Sequence, residues 1–146
     1  MSTDQHTADS TDLTWLLNNL TREPGVVHAL LFTTDGLVLA ASDGLPTDDA
    51  ERTAAALCGV KSLQADLGAF CGRPDGADDR LRMRHVVSDL KDATVLLFAA
   101  GVRTGLGVSV RGDSLSQEVS VAITATLKMI AGMRPVLDAR ERSGTA

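Results

Sequence analysis

The sequence has no tyrosine, one tryptophan and three phenylalanines, so a body built from it has little aromatic lining to offer a small-molecule pocket. Two cysteines do not make a disulfide framework. If Cys58 and Cys71 share one helix, thirteen residues at ~1.5 Å rise place them roughly 20 Å apart, beyond bridging distance, so reduced, partly buried thiols are expected. The three histidines, His6, His28 and His85, show no metal-ligand spacing with one another or with the cysteines. Neither GxxxxGK(S/T) nor GxGxxG occurs, and Gly101, Gly105 and Gly107 read as the glycines of a tight hairpin rather than a phosphate cradle. Ser109 and Ser114 have no base nearby in sequence, and only His28 and His85 could serve from elsewhere. No catalytic group and no cofactor or metal is expected.

Long apolar runs are also missing. The longest, Val95 to Ala100, falls far short of the ~18 residues of a membrane span. The opening MSTDQHTADSTD is polar and acidic where a signal peptide is basic and then apolar. A net charge of −5 and a pI near 5.0 give little attraction to nucleic acid or an anionic membrane. These features predict a soluble cytoplasmic protein, without direct membrane insertion, that reaches a membrane only through its partners.

The chain does carry a plainly written hairpin. ALLFTTDGLVLAAS, residues 29–42, places two apolar runs on either side of Asp35-Gly36, a dipeptide that favours a turn with φ > 0. A hairpin with one wet face alternates apolar and polar residues, whereas Leu30, Leu31 and Phe32 are consecutive, as are Leu37 to Ala41. Both faces of its sheet should therefore be covered. At 146 residues one core suffices. Residues 1–10 read as a disordered leader, 11–137 as the domain and 138–146 as a flexible tail.

Within the domain, Thr11 or Asp12 caps a helix with Leu13, Leu16, Leu17 and Leu20 on one stripe and Trp15 off it, covering a neighbouring element or meeting a partner. A long helix runs from an N-cap at Thr47 to about Cys71, with Asp48, Asp49 and Glu51 at the positive end of its dipole. From Thr53 to Cys71 only Lys61 and Asp66 are charged, and small or apolar residues spread around most of the wheel. One sheet face absorbs one stripe of a helix; the rest needs a second lid, and a second copy of the chain is the simplest one. After the loop RPDGADD, residues 73–79, three strands follow as a meander: Leu81 to Ser88, Thr94 to Ala100 and Leu106 to Val110. Arg82 and Arg84 alternate along the first of these, either keeping an edge strand soluble or meeting acidic groups across an interface. Ser114 and Gln117 form a capping box for a last helix carrying Leu115, Val119, Ala122, Ile130, Met133 and Leu137, which Pro135 should end or kink. The fold class is α/β: a five-stranded, mainly antiparallel sheet with helices on both faces, in the order α-β-β-α-β-β-β-α.

HALLFTTDGLVLAASDGLPTDDAERTAAALCGVKSLQADLGAFCG, residues 28–72, resembles the core of the roadblock family, named for a dynein light chain, and in particular its actinobacterial branch. The likeness in element order extends from about Asp12 to Leu137, most specifically in DGLVLAASDGL and the acidic helix start that follows. The final SLSQEVSVAITATL departs from that branch's pattern. The resemblance implies a roadblock/profilin-like fold and a noncatalytic homodimer joined through the long helix and the adjacent edge strand. It also implies regulation of a small Ras-like GTPase, with a histidine-kinase-like sensor complex as a further partner. The interface candidates are then Ala54, Leu57, Val60, Lys61, Gln64 and Leu67 on the helix, with Arg82, Met83 and Arg84 on the strand. Trp15, Arg73 and Arg103 are candidate partner contacts. The rival readings are a passive scaffold that recruits signalling partners and a small-ligand sensor.

Overall fold

The computed structural model describes residues 13–64, 67–68, 70–72 and 83–144. Three helices and five strands alternate as expected: α1 (13–20), β1 (Val26–Thr33), β2 (Val38–Ala41), α2 (Thr47–Gln64), β3 (His85–Leu90), β4 (Ala93–Ala99), β5 (Thr104–Arg111) and α3 (Gln117–Gly144). The strands form one antiparallel sheet in the order β2-β1-β5-β4-β3. Sequence neighbours pair as a hairpin and a meander, and the β1–β5 pair joins the two.

The consecutive apolar residues of β1 are explained by the two layers. Ala29 and Leu31 point into a core closed by Leu13, Leu17 and Leu20 of α1 and by Val119, Ala122, Ile130, Met133 and Leu137 of α3. Leu30 and Phe32 point the other way, under Ala50, Ala54 and Leu57 of α2. The β1–β2 turn is a type I turn: the Gly36 N–H donates to Thr33 O at 2.9 Å, and Gly36 alone takes a positive φ, 89°. Lys91-Asp92 joins β3 to β4, with Asp92 at φ 65°. A two-point clamp holds α1 to the chain after β2: Asn18 Oδ1 accepts from the Asp43 N–H at 2.8 Å, and Asn18 Nδ2 donates to Asp43 Oδ2 at 3.1 Å.

Several boundaries differ from the sequence-based expectations. α2 stops at Gln64, not near Cys71, so the two cysteines do not share a helix, and both are free thiols. Thr47 is its first helical residue, not its cap: the Ala50 N–H donates to Pro46 O at 2.9 Å. β3 begins at His85, and Met83 and Arg84 precede it in non-strand backbone. Gly105 and Gly107 lie inside β5, not in a turn. Ser116, not Ser114, caps α3, its Oγ accepting from the Val119 N–H at 3.3 Å. Leu115 lies before the helix and is exposed. α3 continues through Pro135 to Gly144, where a tail was expected from 138. Proline removes one helical hydrogen bond, and the helix continues across it with Met133 and Leu137 buried on either side. The expected leader, the cap at Thr11 or Asp12, the 73–79 loop and Leu81 lie outside the described residues.

β5 explains how α2 sits so close to the sheet. Gly105 and Gly107 face Phe32 and Leu30 across the β1–β5 ladder. A Cβ on Gly105 would stand 2.6 Å from Phe32 Cζ, and one on Gly107 would stand 2.5 Å from Leu57 Cδ1. The missing side chains are the space that the ring and the leucine occupy.

Candidate protein-interaction surfaces

The residues that could do chemistry do not converge. His28 lies on the α2 side of the sheet, beside a cavity of about 170 Å³ also lined by Leu30, Leu45, Thr53, Leu57 and Ser109, and its Nδ1 is buried without a hydrogen-bond partner. His85 lies on the other face, its ring centroid 5.7 Å from that of Phe98. Ser109 Oγ accepts from the backbone N–H of His28 at 3.1 Å and is not bonded to the ring. Ser114 Oγ donates to Asp89 Oδ2 at 2.9 Å. Among the described residues no group of three or more His, Cys, Asp or Glu could hold a metal ion.

The thiol of Cys58 is shielded. Burial pushes it up from the ordinary thiol range, and the Asp35 charge adds to this; the Gly36 N–H and the Lys61 charge pull the other way. Its Sγ donates to Thr33 O at 3.3 Å. Cys71 is exposed.

The uncovered surface lies on the outward side of α2 and along β3. Only Ala50, Ala54 and Leu57 of α2 are buried. Their phase turns Ala55, Ala56, Gly59, Ser62 and Leu63 to solvent, and Leu63 is 70% exposed. Among the described strands β3 is an edge strand, with Val87 and Leu90 also exposed.

This phase corrects two interface candidates. Ala54 and Leu57 are 0% and 8% exposed and belong to the core under α2, because the spacing 50, 54, 57 is the stripe laid on the sheet. Val60, Lys61 and Gln64 are half-buried at the margin of that stripe, and Leu67 is exposed. Met83 packs partly against the same core, beside Val86, and Arg84 is exposed. Arg73 and Arg82 lie outside the described residues. The near absence of charge in the helix was visible in the sequence; the outward residues Ala55, Ala56, Gly59 and Leu63 were missed as interface candidates because the phase of the wheel was not fixed. Trp15 is 59% exposed on α1, so most of its side chain is left uncovered. Arg103 is exposed in the β4–β5 connection, where its carbonyl accepts from the Thr34 N–H at 3.0 Å.

A five-stranded antiparallel sheet layered between two helices on one face and one on the other defines a small α/β domain of the roadblock/profilin-like kind. Residues 13–109, from α1 into β5, match the sequence model of the Roadblock/LC7 domain, and the chain belongs to that family. It is similar to the solved Roadblock/LC7 domain from Streptomyces avermitilis, with 29% identity and a TM-score of 0.71 over 85% of this chain and 96% of that one. Myxococcus xanthus MglB shares the fold at 13% identity and a TM-score of 0.71, covering 88% of this chain and 90% of that one. The gliding protein MglB from Thermus thermophilus does so at 19% and 0.66, covering 88% and 92%. No curated protein sequence matches the chain. α3 lies beyond the matched residues.

Proposed function

We propose that this chain is a noncatalytic dimeric regulator of a small Ras-like GTPase in bacterial signalling. The observation that carries the proposal is the uncovered outward face of α2, together with the place of β3 at an edge of the sheet among the described strands. At 18 residues α2 is about 27 Å long, long enough for two copies to cross along small side chains that permit close approach. Two β3 edges brought together would continue the sheet from one protomer into the next and satisfy the backbone groups that an edge leaves open. The GTPase as partner is supported by family membership and by the roadblock-like residues 28–72. A histidine-kinase-like sensor complex is a further partner candidate by the same resemblance.

Without catalytic groups of its own, such a dimer acts by binding one arrangement of the GTPase switch loops better than another, and the effect is limited by that difference in affinity. Light scattering tests the assembly. The parent chain should run as a dimer at micromolar concentration, and Gly59→Glu, which adds a charged side chain where a new Cβ would meet nothing within 4 Å in the monomer, should give a folded monomer. A monomeric parent would refute the dimer. GTP turnover by the cognate GTPase, with and without the protein, tests regulation; binding without any change in turnover would establish the scaffold reading instead.

A further inference from the structure

On the face of the sheet opposite α2, α3 does not reach over β3, and a groove of about 690 Å³ remains between them, open on one side. Its floor is apolar, with Phe98, Leu127 and Ile130 among the lining residues. Leu127 is 48% exposed, while Phe98 and Ile130 are fully packed below. Its rim carries two guanidiniums, Arg84 on the strand side beside His85 and Arg134 on the helix side. None of the described residues that line it is Asp or Glu, in a chain whose net charge is −5. Among the described residues neither guanidinium has a salt-bridge or hydrogen-bond partner.

We propose that this groove is a docking site for an acidic, amphipathic peptide segment of a partner protein. Two guanidiniums on opposite walls favour a ligand that carries separated carboxylates around an apolar anchor, and arginine is the side chain suited to paired carboxylate recognition. The anchor lies against Leu127 and the floor, removing exposed apolar surface from water. A flat anionic membrane reaches the rim but not the recessed floor. The groove is built within one protomer, on the face away from α2, so the proposal does not depend on the GTPase reading.

The test uses the full-length protein and fluorescein-labelled peptide pools alternating Glu with Leu or Phe, alongside matched pools with Gln or Lys in place of Glu. Anisotropy should show the acidic pool binding about tenfold or more tightly than the Gln pool, with the difference shrinking in high salt. Arg84→Glu combined with Arg134→Glu should reverse the preference toward the Lys pool. In the parent protein, acidic peptide should shift the methyl resonances of Leu127 and leave those of Leu63, on the far face, in place. Light scattering of the double variant reads the oligomeric state separately, so loss of peptide binding is distinguishable from loss of the dimer. Equal binding of the acidic and Gln pools, no peptide binding at millimolar protein, or an unchanged acidic preference in the double variant would overturn the proposal. So would binding to phosphatidylserine vesicles that the acidic pool fails to displace.

Discussion

Replacing Gly105 by alanine should destabilise the fold far more than the same change at Gly107, although the two glycines are neighbours on the same face of β5. Neither has a positive φ, so any cost comes from space alone. At Gly105 the new methyl meets Phe32 Cζ at 2.6 Å and Cε2 at 2.7 Å. The ring is fully buried and pinned under Ala50 and Ala54, so it escapes only if α2 lifts from the sheet. Overpacking of this kind costs about 1–3 kcal/mol, offset by about 0.5–1 kcal/mol from the stiffer unfolded chain. The net loss is about 1–2 kcal/mol, or roughly 3–6 °C in Tm for a domain of this size. At Gly107 the clash is with a single atom, Leu57 Cδ1, at 2.5 Å. That methyl ends a flexible side chain, and a rotation costing about 0.5–1.5 kcal/mol roughly cancels against the entropic gain. Urea denaturation followed by circular dichroism measures both variants. Gly105→Ala as stable as the parent, or less harmful than Gly107→Ala, would refute the account of why α2 lies so close to the sheet.

Cys71 should react with a thiol reagent at pH 8 at least about tenfold faster than Cys58, because Cys71 is exposed whereas Cys58 is partly buried and that burial raises its pKa; mass spectrometry of the labelled peptides distinguishes the two. Because the folded state raises the Cys58 pKa, that thiol's contribution to stability is present below the ordinary thiol value and is lost as pH rises from there through the raised folded value, which denaturation in a Cys71→Ser background at increasing alkaline pH will show. Trp15, the sole tryptophan, should be freely quenched by acrylamide in the isolated protein, and a partner that covers α1 should protect it. Single changes of Arg84, Arg103 or Arg111 to alanine should lower GTPase stimulation only as far as they lower binding. A loss of about a hundredfold or more at unchanged affinity would identify an arginine finger supplied in trans.

The strands were legible because the turns that separate them are: Asp35-Gly36 and Lys91-Asp92 both connect the strands they were expected to connect. The double covering of the sheet was legible from the unbroken run Leu30-Leu31-Phe32. Rotation about a helix axis was not. In α2, alanine, glycine and cysteine occupy so much of the wheel that no stripe stands out, and the inward set Ala50, Ala54 and Leu57 is selected by the glycine floor of β5, a feature some fifty residues away in sequence. The continuation of α3 past Pro135 was hidden for a similar reason. A local rule ends the helix there, and a distant packing surface under Met133 and Leu137 overrides it.

The position of β5 in the middle of the sheet sets the order in which a ribosome can complete this fold. β1 and β2 are made early and pair locally, but the other edge of β1 belongs to residues 104–111, the last strand to emerge. At about 5–20 residues per second, the nascent hairpin waits several seconds with the β5 side of β1 unpaired. During that interval the open edge of β1 is a template for any extended apolar segment nearby. The meander β3–β4–β5 closes the gap in one step, because β5 reaches β1 as the last member of a local three-strand unit. Folding should therefore be limited by that single docking event between two locally formed halves, and a chain truncated before residue 104 should aggregate rather than persist as a smaller domain.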